Sequence, residues 1–328
     1  MQIYILLTDN CNLHCKMCIR GKQVGKELDV EAFKCNDFID KLSEHDVVVT
    51  GGEPTLHSKF IDIVELLCEH AKSVTITTNG TKNDYIKTLG HKRNLCYQVS
   101  IDGTSDTHNM IRGIGAYEKT MATLRILEEI KMPFSVATVV SKKNILSVFE
   151  LEKELEEFSC MRYWRLSYEM PFGSAGFDNM MSSDEWNEFV DKIIECAKFR
   201  IKIQKIFPFE LYDKNKEKLD EFIEAGNRIY NCGSAKNKLY VYPDMTVYPC
   251  TCLTDFPLGN LNKTSLDEIL KSDFASQFID YKINPESPCK SCEYLKYCNG
   301  GCIGMSYHYF GSLGHGDIRC PKLGEKNE

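Results

Sequence analysis

The first 170 residues alternate between two hydrophobic rhythms. Short runs rich in β-branched and aromatic residues read as six strands: IYILLT at 3–8, DVVVT at 46–50, SVTITT at 73–78, LCYQVSID at 95–102, PFSVATVV at 133–140 and YWRLSYE at 163–169. Segments with helical spacing lie between them, at 30–42, 60–71, 116–131 and 144–158. In the last, apolar residues recur at Ile145, Val148, Phe149, Leu151, Leu155 and Phe158. Strands separated by helices predict right-handed βαβ units and a parallel sheet. Six units are too few for a closed eight-stranded barrel, so the expected fold is α/β, a partial (β/α)6 TIM-like barrel. Chemistry in such folds collects at the C-terminal ends of the strands. The segments just after strands are a cysteine loop at 11–18, Gly51-Gly52-Glu53, Asn79 and Asp102, and these are expected on one rim.

Residues 182–226 read as two more helices, and the character then changes. NKLYVYPDMTVYPC at 237–250 predicts a hairpin turned at Pro243-Asp244. Beyond it the chain is rich in Gly, Pro, Asn, Ser and Cys, with too little apolar periodicity for a core of its own; tails of this kind are held by disulfides or metals. Two domains are expected, 1–225 and 226–328.

Of the 328 residues 43% are hydrophobic, which supports a real core, yet no apolar run approaches the ~20 residues of a membrane span. No secretory signal opens the chain, so the expected compartment is cytoplasmic and no membrane partner is expected. The net charge of −7 argues against nucleic acid as a partner, because phosphate binding needs a basic footprint. Sixteen cysteines are many for that compartment, where clustered cysteines bind metal or do redox work. Cys35, Cys68, Cys96, Cys160 and Cys196 stand alone and read as small buried hydrophobes. The others fall in two groups: Cys11, Cys15 and Cys18; then Cys232, Cys250, Cys252, Cys289, Cys292, Cys298, Cys302 and Cys320.

Three thiolates in one loop suit a [4Fe–4S] cube whose fourth iron stays open, the logic of a catalytic metal site. A zinc ion would need His14 as fourth ligand, and adjacent His14 and Cys15 are poorly placed to chelate one ion. The spacing Cys11-x3-Cys15-x2-Cys18 after a first strand resembles the signature of the radical S-adenosylmethionine (SAM) enzymes. Gly51-Gly52-Glu53-Pro54 resembles their GGEP motif, and Thr78-Asn79-Gly80-Thr81, Ser100-Ile101-Asp102-Gly103 and Arg112 fit in the same order. Met17 departs from the family, which carries an aromatic there. The resemblance implies a SAM-binding cluster on Cys11, Cys15 and Cys18. It implies SAM contacts from Gly51, Gly52, Glu53, Asn79, Ser100, Asp102 and Arg112. It also implies cleavage of SAM to a 5′-deoxyadenosyl radical that takes hydrogen from a substrate.

Cys289-x2-Cys292-x5-Cys298-x3-Cys302 with Cys320, preceded by Cys232-Gly233 and Tyr248-Pro249-Cys250, resembles the SPASM domain of radical SAM peptide maturases. That resemblance implies one auxiliary [4Fe–4S] cluster on Cys289, Cys292, Cys298 and Cys320. A second would sit on Cys232, Cys250 and Cys302, making three clusters in all. Cys252 is its possible fourth ligand or, alternatively, a catalytic hydrogen donor. Met245 stands where the family has glycine, at a turn position that favours positive φ. The implied reaction is oxidation of a ribosomally made peptide to a thioether or carbon–carbon crosslink. The alternatives are peptide epimerisation, or oxidation or epimerisation of a small molecule such as a sugar or aminoglycoside. Sulfatase maturases carry an Asp after the cysteine matching Cys250; Thr251 stands there, so formylglycine formation is not expected. A flavodoxin or ferredoxin reductant is implied. No leader-binding module fits before Ile3, so a separate leader-binding protein is the expected partner of a leader-bearing substrate.

Overall fold

The computed structural model describes residues 1–21, 25–34, 36–177, 180–229 and 232–324. All six expected strands form: β1 (Gln2–Leu6), β2 (Asp46–Thr50), β3 (Ser73–Thr78), β4 (Leu95–Ser100), β5 (Phe134–Val140) and β6 (Met161–Tyr168). They pair in parallel and in chain order, as helical crossovers require. The sheet continues past both ends of this set. Beside β6 runs β7 (Ile201–Lys202), parallel to it. Beside β1 runs β8 (Lys238–Val241), also parallel, followed by antiparallel β9 (Thr246–Tyr248) and β10 (Gly259–Asn260). The order β10-β9-β8-β1-β2-β3-β4-β5-β6-β7 is that of an open, partial barrel. The hairpin read as the start of the tail is thus part of the barrel's sheet.

Strand burial follows the pattern that made the strands legible. Val47, Val48 and Val49 of β2 are each exposed by 5% or less. Full burial of one such side chain stabilises by about 1.5–3 kcal/mol. On β3 and β4 alternate residues are buried, with Val74, Ile76, Tyr97 and Val99 in the core. The opposite face of the sheet gives Thr77, Ser100, Val139 and Ser167 to a cavity at the strand ends.

The structure departs from the sequence reading in four places. The 30–42 helix is two short helices, Val30–Lys34 and Phe38–Lys41. Residues 182–226 hold three helices, Ser183–Cys196, Phe209–Lys214 and Lys216–Glu224, with β7 between the first two. A helix, Ser105–Arg112, stands where the polar SDTHNMIR run shows no apolar periodicity. The isolated cysteines that are described are less buried than expected: Cys68, Cys96 and Cys160 are half-buried, with Cys68 and Cys160 packed against the core, and Cys196, on the last turn of its helix, is exposed. Cys35 lies outside the described residues. Among the described residues no helix is long and apolar enough to cross a membrane.

Candidate active site

The cysteine loop leaves β1 and is folded back by two tight turns, Cys18 N to Cys15 O at 3.2 Å and Gly21 N to Cys18 O at 3.0 Å. Three neighbours pin it. Gly52 N donates to Thr8 O at 2.7 Å and Glu53 N to Asn10 O at 2.8 Å, which lays the end of β2 against the loop. Gly52 permits that approach: a Cβ there would lie 2.2 Å from Asn10 O. Lys16 N donates to Ile111 O at 3.1 Å, docking the loop on the helix that carries Arg112. Ser174 N donates to Cys18 O at 2.9 Å, and Gly173 brings that backbone in, since a Cβ on it would stand 2.3 Å from the same oxygen.

A cavity of about 480 Å³ opens at these strand ends. Cys11, Cys15, Cys18, Gly51, Gly52, Glu53, Asn79, Ser100 and Arg112, nine of the expected residues, line it. Asp102 does not. It is fully buried behind Arg112, accepts from Arg112 Nε at 2.5 Å and from Val139 N at 2.8 Å, and so orients the guanidinium and does not face a ligand. Glu53 is 1% exposed. Its Oε1 accepts from Thr55 N, Thr55 Oγ1 and Thr78 Oγ1, and its Oε2 from Asn79 N at 2.7 Å. Burial raises its carboxyl above the ordinary value, and these donors work against that rise. Oε2, with one donor, keeps a lone pair for another. Burial pushes the Cys15 thiol up to about 11, with Arg112 pulling it down, and burial raises Cys11 as well. Three thiols gathered with one buried guanidinium suit a thiolate-held cluster, since a nearby cation favours the thiolate form that binds iron.

Sequence reasoning missed several supports. Asn12 Oδ1 accepts from Asn79 Nδ2 at 2.9 Å and Asn12 Nδ2 donates to Thr81 Oγ1 at 2.8 Å, tying the cysteine loop to the end of β3. Arg20 is paired with Asp9 at 2.5 Å. At the end of β6, Tyr168 and Met170 line the cavity. Arg319 packs over the Tyr168 ring, 4.9 Å from its centroid, and donates to Asp317 at 2.6 Å; Asp317 in turn accepts from Cys302 N at 3.0 Å. Only the fold brings residue 319 to residue 168, so nothing in the local sequence marked this link.

The tail cysteines form two groups. Cys250 and Cys252 lie with sulfurs 3.3 Å apart. The hydrogen bond from Cys252 lowers Cys250 to about 7, and the same bond raises Cys252. Burial, then the neighbouring Cys232, raises Cys302. In the other group burial pushes Cys298 up to about 11 and Cys320 up to about 12, with Cys289 acting on both and Cys292 on Cys298. Among the described residues no three His, Cys, Asp or Glu side chains converge tightly enough for a single metal ion. A cube places each outer ligand on a different iron and needs no such convergence.

The family model of the radical SAM superfamily matches residues 5–155, and that of the SPASM iron–sulfur cluster-binding domain matches 232–293. The chain is a radical SAM/SPASM protein. It is an enzyme whose cofactors are SAM and multiple iron–sulfur clusters. It is 23% identical to a cysteine-type anaerobic sulfatase-maturating enzyme of Clostridium novyi, over 90% of this chain and 85% of that one. It is 26% identical to an AdoMet-dependent heme synthase of Methanosarcina barkeri, over 92% and 90%. It is 26% identical to the sporulation killing factor maturation protein SkfB of Bacillus subtilis, over 80% of this chain and 63% of that one. In fold it resembles Streptococcus suis SuiB bound to its precursor peptide SuiA (TM-score 0.79, 18% identity, 98% of this chain and 75% of that one). It also resembles anSMEcpe with bound AdoMet (TM-score 0.73, 20% identity, 99% and 95%).

Proposed function

We infer that this radical SAM/SPASM enzyme is an oxidoreductase that modifies a ribosomally made peptide, forming an oxidative thioether or carbon–carbon crosslink. One observation carries the reading. The cavity at the cysteine loop shares Ser167, Tyr168 and Met170 with a second cavity of about 720 Å³, which runs along the β6–β7 edge to Cys302. A chain-like substrate can therefore lie between the radical site and an auxiliary cysteine group. The relatives include SkfB, a maturation protein, and SuiB with its precursor peptide.

Cys11, Cys15 and Cys18 would hold the cluster that binds SAM. Gly51, Gly52, Glu53, Asn79, Ser100 and Arg112 would hold SAM itself, with Glu53 Oε2 free to accept from an ammonium and Arg112, steadied by Asp102, placed for a carboxylate. When bound, these groups supply a carbon radical able to take hydrogen from an unactivated C–H bond. Cys289, Cys292, Cys298 and Cys320 would hold one auxiliary cluster, and Cys232, Cys250 and Cys302 another. Cys252, 3.3 Å from the Cys250 sulfur, would be the fourth ligand or a hydrogen donor. The chain's own part is to fix orientation, keep water out and pass charge. A flavodoxin or ferredoxin would supply the electron and a separate protein the leader recognition; 1–225 and 226–328 would be the two domains, in the cytoplasm. Thr251 argues against formylglycine formation.

The test is anaerobic incubation of the reconstituted, reduced enzyme with SAM and short peptides encoded beside its gene. Release of 5′-deoxyadenosine with loss of two hydrogen atoms from a peptide is the expected result. Deuterium uptake from solvent without loss of mass would point to epimerisation. Turnover only with a small molecule, as for the heme synthase relative, would overturn the peptide reading.

A further inference from the structure

The last two strands of the sheet place two cations side by side. Arg165 of β6 is the register partner of Lys202 of β7. Like charges opposite one another across strands are destabilising, so such a pair calls for a counter-charge. The protein supplies none among the described residues. The buried Arg165 Nε has no hydrogen-bond partner. Lys202 Nζ sits over the Tyr163 ring, 3.5 Å from its centroid, and forms no ion pair with a carboxylate of the described residues. The other cations of the same 720 Å³ cavity are already neutralised, Lys205 by Asp191 at 2.6 Å and Arg319 by Asp317 at 2.6 Å.

The surroundings register this unbalanced charge. Burial works against ionisation of Tyr163, but the Ser135 hydroxyl and the Lys202 and Arg165 cations outweigh it, so the phenol is held below its ordinary value. In a chain of net charge −7, an uncompensated pair of cations inside a cavity is out of keeping with the average surface. An anion in the cavity would satisfy the orphaned donor and relieve the repulsion together.

We propose that Arg165 and Lys202 form a subsite that binds a carboxylate of the substrate. The subsite rests on the peptide reading above and narrows it. It stands one layer below the rim residue Ser167, which both cavities share, so a carboxylate anchored on it fixes the neighbouring residue of the substrate before the cysteine loop. The carboxylate comes from an acidic side chain or from a free C-terminus, and the experiment separates the two.

The test uses immobilised, anaerobically reconstituted enzyme with SAM and two N-acetylated random octapeptide libraries, one ending in a free acid and one in an amide. Retained peptides are read by mass spectrometry. The expected result is roughly tenfold enrichment of peptides carrying Asp or Glu, matching a charge-assisted hydrogen bond. If the C-terminus is the source, the free-acid library is retained without enrichment of acidic residues and the amide library is not retained. Arg165→Gln and Lys202→Gln abolish the preference; Lys202→Arg keeps it. Iron content and the auxiliary-cluster EPR signal stay unchanged in all three. Retention of peptides with no preference for carboxylates overturns the subsite and leaves the peptide reading standing. Retention of no peptide overturns both. Loss of the preference together with an altered EPR signal overturns the subsite, because the cations would then act on the cluster.

Discussion

Replacing Met245 with glycine sets three terms against one another. Tyr242 to Thr246 form a three-residue hairpin loop: Met245 N donates to Tyr242 O at 2.8 Å and Tyr242 N to Thr246 O at 2.9 Å. Such loops place a left-handed residue after the turn, and Met245 occupies that position with φ 66°. A side chain there costs about 1–2 kcal/mol, which glycine would recover. Glycine also loses about 0.5–1 kcal/mol through its looser unfolded chain. Strain relief exceeds this loss by about 0.5–1 kcal/mol, a net gain for glycine. The third is larger. Met245 is 2% exposed and packs in the main core, and truncating a buried methionine costs about 2–5 kcal/mol. Burial wins, and Met245→Gly should destabilise the hairpin by about 1–4 kcal/mol. Leu261 N, which donates to Met245 O at 2.9 Å, and Leu258 N, which donates to Val247 O at 2.8 Å, report on it. Native-state hydrogen exchange of these amides should quicken by about tenfold for every 1.4 kcal/mol lost. Met245→Leu, which keeps the volume, should cost under ~1.5 kcal/mol. Unchanged or slower exchange in Met245→Gly would show that backbone strain outweighs burial and refute the reasoning.

Other outcomes follow from the site. Gly52→Ala drives a Cβ into the Asn10 and Asp9 carbonyls and displaces the cysteine loop. Iron analysis should show loss of about one cluster's iron with the auxiliary EPR signals intact, whereas full iron with full SAM cleavage would contradict the role given to this contact. Asp102→Asn weakens the hold on Arg112, a buried pair whose disruption costs about 3–5 kcal/mol. Its SAM affinity should fall more than tenfold while the cysteine loop keeps its iron, and unchanged affinity would make Asp102 a folding residue only. Cys252→Ala separates two chemistries: lost iron marks it as a ligand, and intact clusters with a stalled or altered product mark it as a hydrogen donor. Asn12→Ala, which unties the loop from β3, should speed loss of iron under a chelator at the cysteine loop only, as followed by EPR.

The hydrophobic rhythm alone determined the six parallel strands, because a strand buried on both faces must be short, continuous and apolar, as DVVVT is. It also fixed the rim, because a parallel sheet brings every strand's C-terminal end to the same side. The spacing of Cys11, Cys15 and Cys18 and the glycines at 51 and 52 were legible for a related reason: their chemistry acts over a few residues of backbone. The position of Asp102 behind Arg112 was not legible, since which of these two polar residues faces a cavity depends on the helix Ser105–Arg112, whose sequence has no apolar stripe. Nor was the pairing of β8 with β1, which joins residues more than two hundred positions apart. Long-range packing and strand pairing, not local preference, put Arg319 on Tyr168, Cys302 beside Cys232, and Arg165 opposite Lys202. Local sequence sets which elements form and what chemistry they carry; contacts between distant segments arise only when the sheet is assembled and the tail packs against it, and those contacts decide which side chains share a cavity.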